Sequence, residues 1–125
     1  RGGLQTDVSG RGHELRVDEP AWAGGDDTGP MPTELLTAGL ASCFCLAIAW
    51  AANKRGIALP PDLKVGVAAV RAGKEARYGR YEVAVHSSLP EAELEPLVER
   101  AKRFCWVTNT LATPPEIAYE VHAGG

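Results

Sequence analysis

The chain has 125 residues, 45% of them hydrophobic and 23% charged, with a formal net charge of -3 at neutral pH. Such a length and balance describe one soluble globular domain, 1–125, large enough to bury a core and too short for two. Neither sign of charge gathers into a block, which argues against nucleic-acid binding through phosphate neutralisation.

Near the start, Leu4, Thr6 and Val8 alternate with polar neighbours, Ser9-Gly10-Arg11-Gly12 has turn chemistry, and Leu15 and Val17 alternate again, so a β-hairpin is expected. Residues 19–32, rich in Gly, Pro and Asp, read as an irregular surface loop leading into a helix. Residues 35–53 hold no charged side chain at all. The run is long enough to cross a bilayer. Its small residues and its strand-like flanks favour a buried core helix instead, so no membrane partner is expected. Thr33 is the expected cap of that helix, and Lys54-Arg55-Gly56 its stop, with cations at the negative end and a glycine for the left-handed turn.

Two period-two segments follow Pro60-Pro61, built on Leu63, Val65, Val67 and Ala69 and on Tyr81, Val83 and Val85. A turn near Gly73 joins them, and they are expected to pair antiparallel. Ser88-Leu89-Pro90-Glu91 has the form of a capping box ahead of a second helix, whose apolar stripe is Leu94, Leu97, Val98, Ala101 and Cys105. Ile117, Tyr119 and Val121 alternate as a last strand. The order gives an α+β domain in which antiparallel sheet covers two apolar helices.

Three cysteines are too few for a disulfide-stapled secreted domain, and their odd number leaves a thiol free, so a reducing compartment, the cytoplasm, is expected. Arg1-Gly2-Gly3-Leu4 does not have the form of a signal peptide. Cys43 and Cys45 point in nearly opposite directions on one helix, and His13, His86 and His122 lie in separate segments, so no metal site is expected. The glycines of residues 24–29 match no phosphate-binding motif, and no serine sits in a nucleophile elbow.

Thiol chemistry is what remains, with Cys43 and Cys105 on two apolar helices that must pack together. Two readings stand side by side: a redox couple, or packing residues, since free cysteine is among the most buried residue types. As a nucleophile, Cys43 needs a cation or hydrogen bonds to offset a dry setting.

Gly29-Pro30-Met31-Pro32-Thr33-Glu34-Leu35-Leu36, then Ala41-Ser42-Cys43-Phe44, then Lys54-Arg55-Gly56-Ile57, and finally Cys105-Trp106-Val107-Thr108-Asn109-Thr110-Leu111 together resemble the OsmC/Ohr family of osmotically inducible and organic hydroperoxide resistance proteins. The similarity runs from about Gly24 onward. It implies an intertwined homodimer with apolar helices at its centre, wrapped by sheets. It also implies a peroxidatic Cys43, a resolving Cys105, a small hydroperoxide substrate and an external dithiol reductant, with no metal, haem or flavin.

In the family an N-terminal arginine, best matched by Arg1 ahead of Arg11 and Arg16, supplies the thiolate's counter-charge and is held by a glutamate, here matched to Glu34. The chain departs from the peroxidase branches in two places. Thr33 stands ten residues before Cys43 where the glutamate usually lies, and Trp106 follows Cys105 where proline is common. The Pro-Thr-Glu-Leu-Leu form resembles less characterised OsmC-like branches. Nine residues at about 100° each put Glu34 half a turn from Cys43 on a straight helix. Cys45 is read as packing. The rival to a peroxidase is a non-catalytic OsmC-like protein that uses the same pocket to bind a small apolar ligand.

Overall fold

A computed structural model describes residues 3–124 of the chain. The N-terminal hairpin forms as the alternation predicts, with β1 (Thr6–Gly10) antiparallel to β2 (His13–Val17) and Val8 opposite Leu15. Arg11 and Gly12 both take positive φ, the geometry that matches a two-residue turn to the right-handed twist of its strands. After β2 the chain makes a 3-10 turn at Ala21–Ala23 inside a loop closed by the Asp18 N–H bond to the Pro30 carbonyl at 3.1 Å.

Helix α1 (Pro32–Lys54) then runs for 23 residues. Its cap is Met31 rather than the expected Thr33, because Pro32 suits the first helical position and Glu34 reaches back to accept the Met31 N–H at 2.8 Å. Thr33 lies one residue inside the helix, where its carbonyl accepts the Thr37 hydroxyl at 2.9 Å. The stop is where the sequence puts it. Gly56 has φ +67°, its N–H reaches the Asn53 carbonyl at 3.2 Å, and the Ile57 N–H reaches that of Ala52 at 2.9 Å, a Schellman ending.

β3 (Lys64–Arg71) and β4 (Tyr78–His86) pair antiparallel around a turn at Gly73, with Val65 opposite Val85 and Ala69 opposite Tyr81. Their inner face packs on α1. α2 (Glu91–Phe104) buries Leu97 and Ala101 as its stripe predicts. Ser88 is not its cap, however: Pro90 holds that position, and the Ser88 N–H instead donates to the Asp62 carboxylate at 3.1 Å.

Two features of the C-terminal part differ from the sequence reading. Cys105 takes an extended conformation that ends α2, and a short helix α3 (Trp106–Ala112) follows that no periodicity announces. The expected last strand has no partner among the described residues, and Ile117, Tyr119 and Val121 lie 68% to 89% exposed. A strand is defined by its ladder, and alternation alone cannot supply one.

The result is a mixed α+β fold with two small antiparallel sheets. The core joins Leu40, Phe44, Ala47, Ile48, Ala51 and Ala52 of α1 to Leu97, Ala101 and Cys105. By length and composition α1 could cross a membrane, yet here it packs against both β3 and α2. One side of it stays uncovered, with Leu46 67% exposed, as expected when a helix apolar all round meets partners on only part of its circumference.

Candidate functional site

Cys43 lies in the middle of α1, half-buried, and its side chain lines an open pocket of about 840 Å³. Ala47 and Trp50 follow it on the same stripe of the helix, one and two turns on. The facing wall is made by Phe104 and Trp106, the two neighbours of Cys105, and Ile57 and Leu59 close the end. The Trp50 and Phe104 rings meet at 4.8 Å with a 58° tilt, so the pocket has an aromatic rim over an apolar interior.

Cys105 sits in the fully buried core cluster against which Cys43 packs. Its Sγ accepts the Thr108 N–H at 3.5 Å and so begins α3. The Phe104–Cys105–Trp106 break is therefore what turns two aromatic side chains toward the Cys43 pocket while the sulfur between them points into the core. All three cysteines are free thiols. Cys45, half-buried two residues from Cys43, does not line that pocket.

The other sequence-based candidates are distributed differently. Glu34 lines a separate concavity, in keeping with its half-turn offset from Cys43, and one protomer does not bring the two together. Arg11 is exposed at the hairpin turn. Arg16 is engaged by Asp7, Nε to Oδ1 at 2.6 Å; that hydrogen bond, with the attraction of the carboxylate, raises the Arg16 pKa above its usual value. Arg1 lies outside the described residues.

Among the described residues no basic side chain lines the pocket, although Lys54 Nζ stands 5.3 Å from the centre of the Trp50 ring. Trp50 was legible as a site residue only through its spacing from Cys43, since positions 43, 47 and 50 fall on one helical stripe. Among the described residues, no three His, Cys, Asp or Glu side chains gather as a metal centre requires.

A mixed α+β fold with a long apolar helix, a half-buried thiol at its centre and a second cysteine at a helix break defines a class of cysteine-bearing α+β proteins. The chain belongs to the OsmC-like protein family, whose profile matches residues 24–120. Among solved structures it resembles an organic hydroperoxide resistance protein OsmC from Legionella pneumophila, at 28% identity over 88% of each chain with a TM-score of 0.61. It also resembles the organic hydroperoxide resistance protein OhrB of Bacillus subtilis, at 24% identity over 88% of this chain and 90% of that one, with a TM-score of 0.60. A hypothetical protein from Aquifex aeolicus shares the fold with a TM-score of 0.74 at 19% identity, over 91% of this chain and 83% of the other. Comparison with curated protein sequences returns no match.

Proposed function

We propose that the protein is a cytoplasmic, homodimeric thiol peroxidase that reduces organic hydroperoxides to alcohols. The Cys43 thiolate attacks the terminal oxygen of the hydroperoxide, the O–O bond breaks, and the departing alkoxide takes up a proton to leave as the alcohol, with sulfur oxidised to sulfenic acid. The Cys105 thiol then attacks that sulfur, expels water and forms the disulfide, which an external dithiol reopens with two electrons. Sulfur carries every redox step, so the reaction calls for no metal, haem or flavin.

The observation that carries this reading is the contrast between the two thiols. Cys43 opens into a pocket with apolar and aromatic walls suited to an alkyl or aryl group, while Cys105 is buried behind the wall of that same pocket. Family membership and likeness to hydroperoxide resistance proteins support it. Arg1 is the proposed counter-charge for Cys43. Within one protomer Glu34 is not joined to Cys43: its carboxylate lines another concavity and accepts the Met31 N–H.

A second reading, a pocket that binds an apolar ligand without chemistry, is favoured by the lack of a basic side chain among the described residues lining the pocket. One assay divides the two. With cumene hydroperoxide and dithiothreitol, wild-type protein is expected to consume peroxide and Cys43→Ser to fall to the rate without protein. Coincident curves would leave ligand binding as the function.

Surface area supports the homodimer. A compact monomer of 13.3 kDa exposes about 6,450 Å² by the scaling of folded proteins. This chain exposes 9316 Å². The excess, about 2,900 Å², matches or exceeds what each subunit contributes to a large obligate interface.

A further inference from the structure

A second concavity, of about 480 Å³, lies on the other face of α1 toward its N-terminal end and shares no residue with the thiol pocket. Trp22, Tyr78, Glu34, Thr37 and Met31 form its sides, over small side chains of α1 and β3. Three properties of these residues converge on one kind of ligand.

The first is a carboxylate with a free oxygen. Glu34 Oε1 accepts the Met31 N–H at 2.8 Å, which orients the group, and no hydrogen bond or ion pair reaches Oε2 among the described residues. The same bond occupies the positive end of α1, so a ligand meets the carboxylate before it meets a bare helix terminus.

The second is a pair of aromatic walls. Trp22 is 82% exposed on a 3-10 turn whose backbone is closed by the Gly24 N–H on the Ala21 carbonyl and the Gly25 N–H on that of Pro20. The Tyr78 ring rests on Tyr81 with centroids 5.8 Å apart. Aromatic faces attract cations through their quadrupole and offer nothing comparable to an anion. The third is local charge. Glu34 is the one charged side chain among the described residues lining the concavity.

We propose that this concavity binds a small organic cation, an ammonium or guanidinium compound, between Trp22 and Tyr78 with its charge on Glu34 Oε2. A neutral ligand of the same shape keeps the apolar contact and loses the interaction with both rings and the carboxylate. An anion is repelled outright.

The test uses the full chain in its own assembly state and two probes of matched shape, choline and its uncharged isostere 3,3-dimethyl-1-butanol, titrated by calorimetry at constant ionic strength. Choline is expected to bind saturably and at least about tenfold more tightly than the alcohol. Trp22→Ala and Glu34→Gln should each weaken choline binding by at least about fivefold, and Trp22→Phe should retain part of it, which separates loss of the ring from loss of the fold. Cys43→Ser should bind choline as wild type does, so the result is independent of the thiol chemistry. Equal binding of the two probes, no saturable binding, or binding indifferent to Trp22 and Glu34 would each overturn the proposal. A basic side chain of a second copy already seated there would register as no saturable binding.

Discussion

Asp18 shows how much one side chain can organise. It is buried at the end of β2, and its carboxylate accepts the N–H groups of Glu19, Asp26 and Thr28 and the Thr28 hydroxyl, the last at 2.7 Å. Burial pushes this carboxyl up, but the hydrogen bonds from Thr28, Glu19 and Asp26 outweigh it and hold its pKa below the ordinary value. A lowered native pKa means stabilisation that is complete above the unfolded-state value and fades as pH falls through the native one. Thermal unfolding of wild type and Asp18→Asn is therefore expected to differ most near neutrality, with the gap closing below about pH 4. A gap that does not change with pH would show that the charge is not what closes the loop.

At the scale of elements, two glycines bound α1 and its entry loop for different physical reasons. Gly56 sits at φ +67° with open space where a Cβ would go, so Gly56→Ala meets only the backbone cost of the left-handed region, about 1–2 kcal/mol. Gly25 is the opposite case: a Cβ there would overlap the Glu19 carbonyl. Gly25→Ala must displace the loop that holds Trp22 and leads into α1, so its midpoint in urea is expected to fall below that of Gly56→Ala. The reverse order would show that the loop yields more easily than its hydrogen bonds imply.

Elements also mark where local signals stop being enough. The β1–β2 turn, the α1 stop and the β3–β4 pairing depend on residues close in sequence, and all three were legible. The α1 cap moved to Met31 because Pro32 and Glu34 together make a better start than Thr33 does. Ser88 lost its capping role to a partner 26 positions away, Asp62. No local pattern reports such a competitor.

For the whole molecule, the unsatisfied features share one character. The β1–β2 hairpin makes at most sparse contact with the other helices and strands, and Val8 and Leu15 remain exposed on it. The segment with Ile117, Tyr119 and Val121 has the alternation of a strand and no ladder among the described residues. Arg100 Nε is buried without an acceptor among the described residues, a state that costs free energy unless another chain supplies one. Sedimentation equilibrium is expected to give about twice 13.3 kDa, and the thermal midpoint should rise with protein concentration, as it does when folding and association are linked. A monomer with a concentration-independent midpoint would remove the homodimer from the proposed function.

The sequence by itself determined the local periods, the turn and stop glycines, the uncharged helix and the placing of Cys43 and Cys105 on apolar elements, because each rests on neighbours a few positions apart. Only the tertiary structure decided that Cys43 opens into an aromatic-rimmed pocket, that the chain breaks between two helices at Cys105, and that Glu34 belongs to a different concavity. Burial and access are set by which surfaces of distant segments meet, and α1, apolar on every side, carries no periodicity that says which face will be covered.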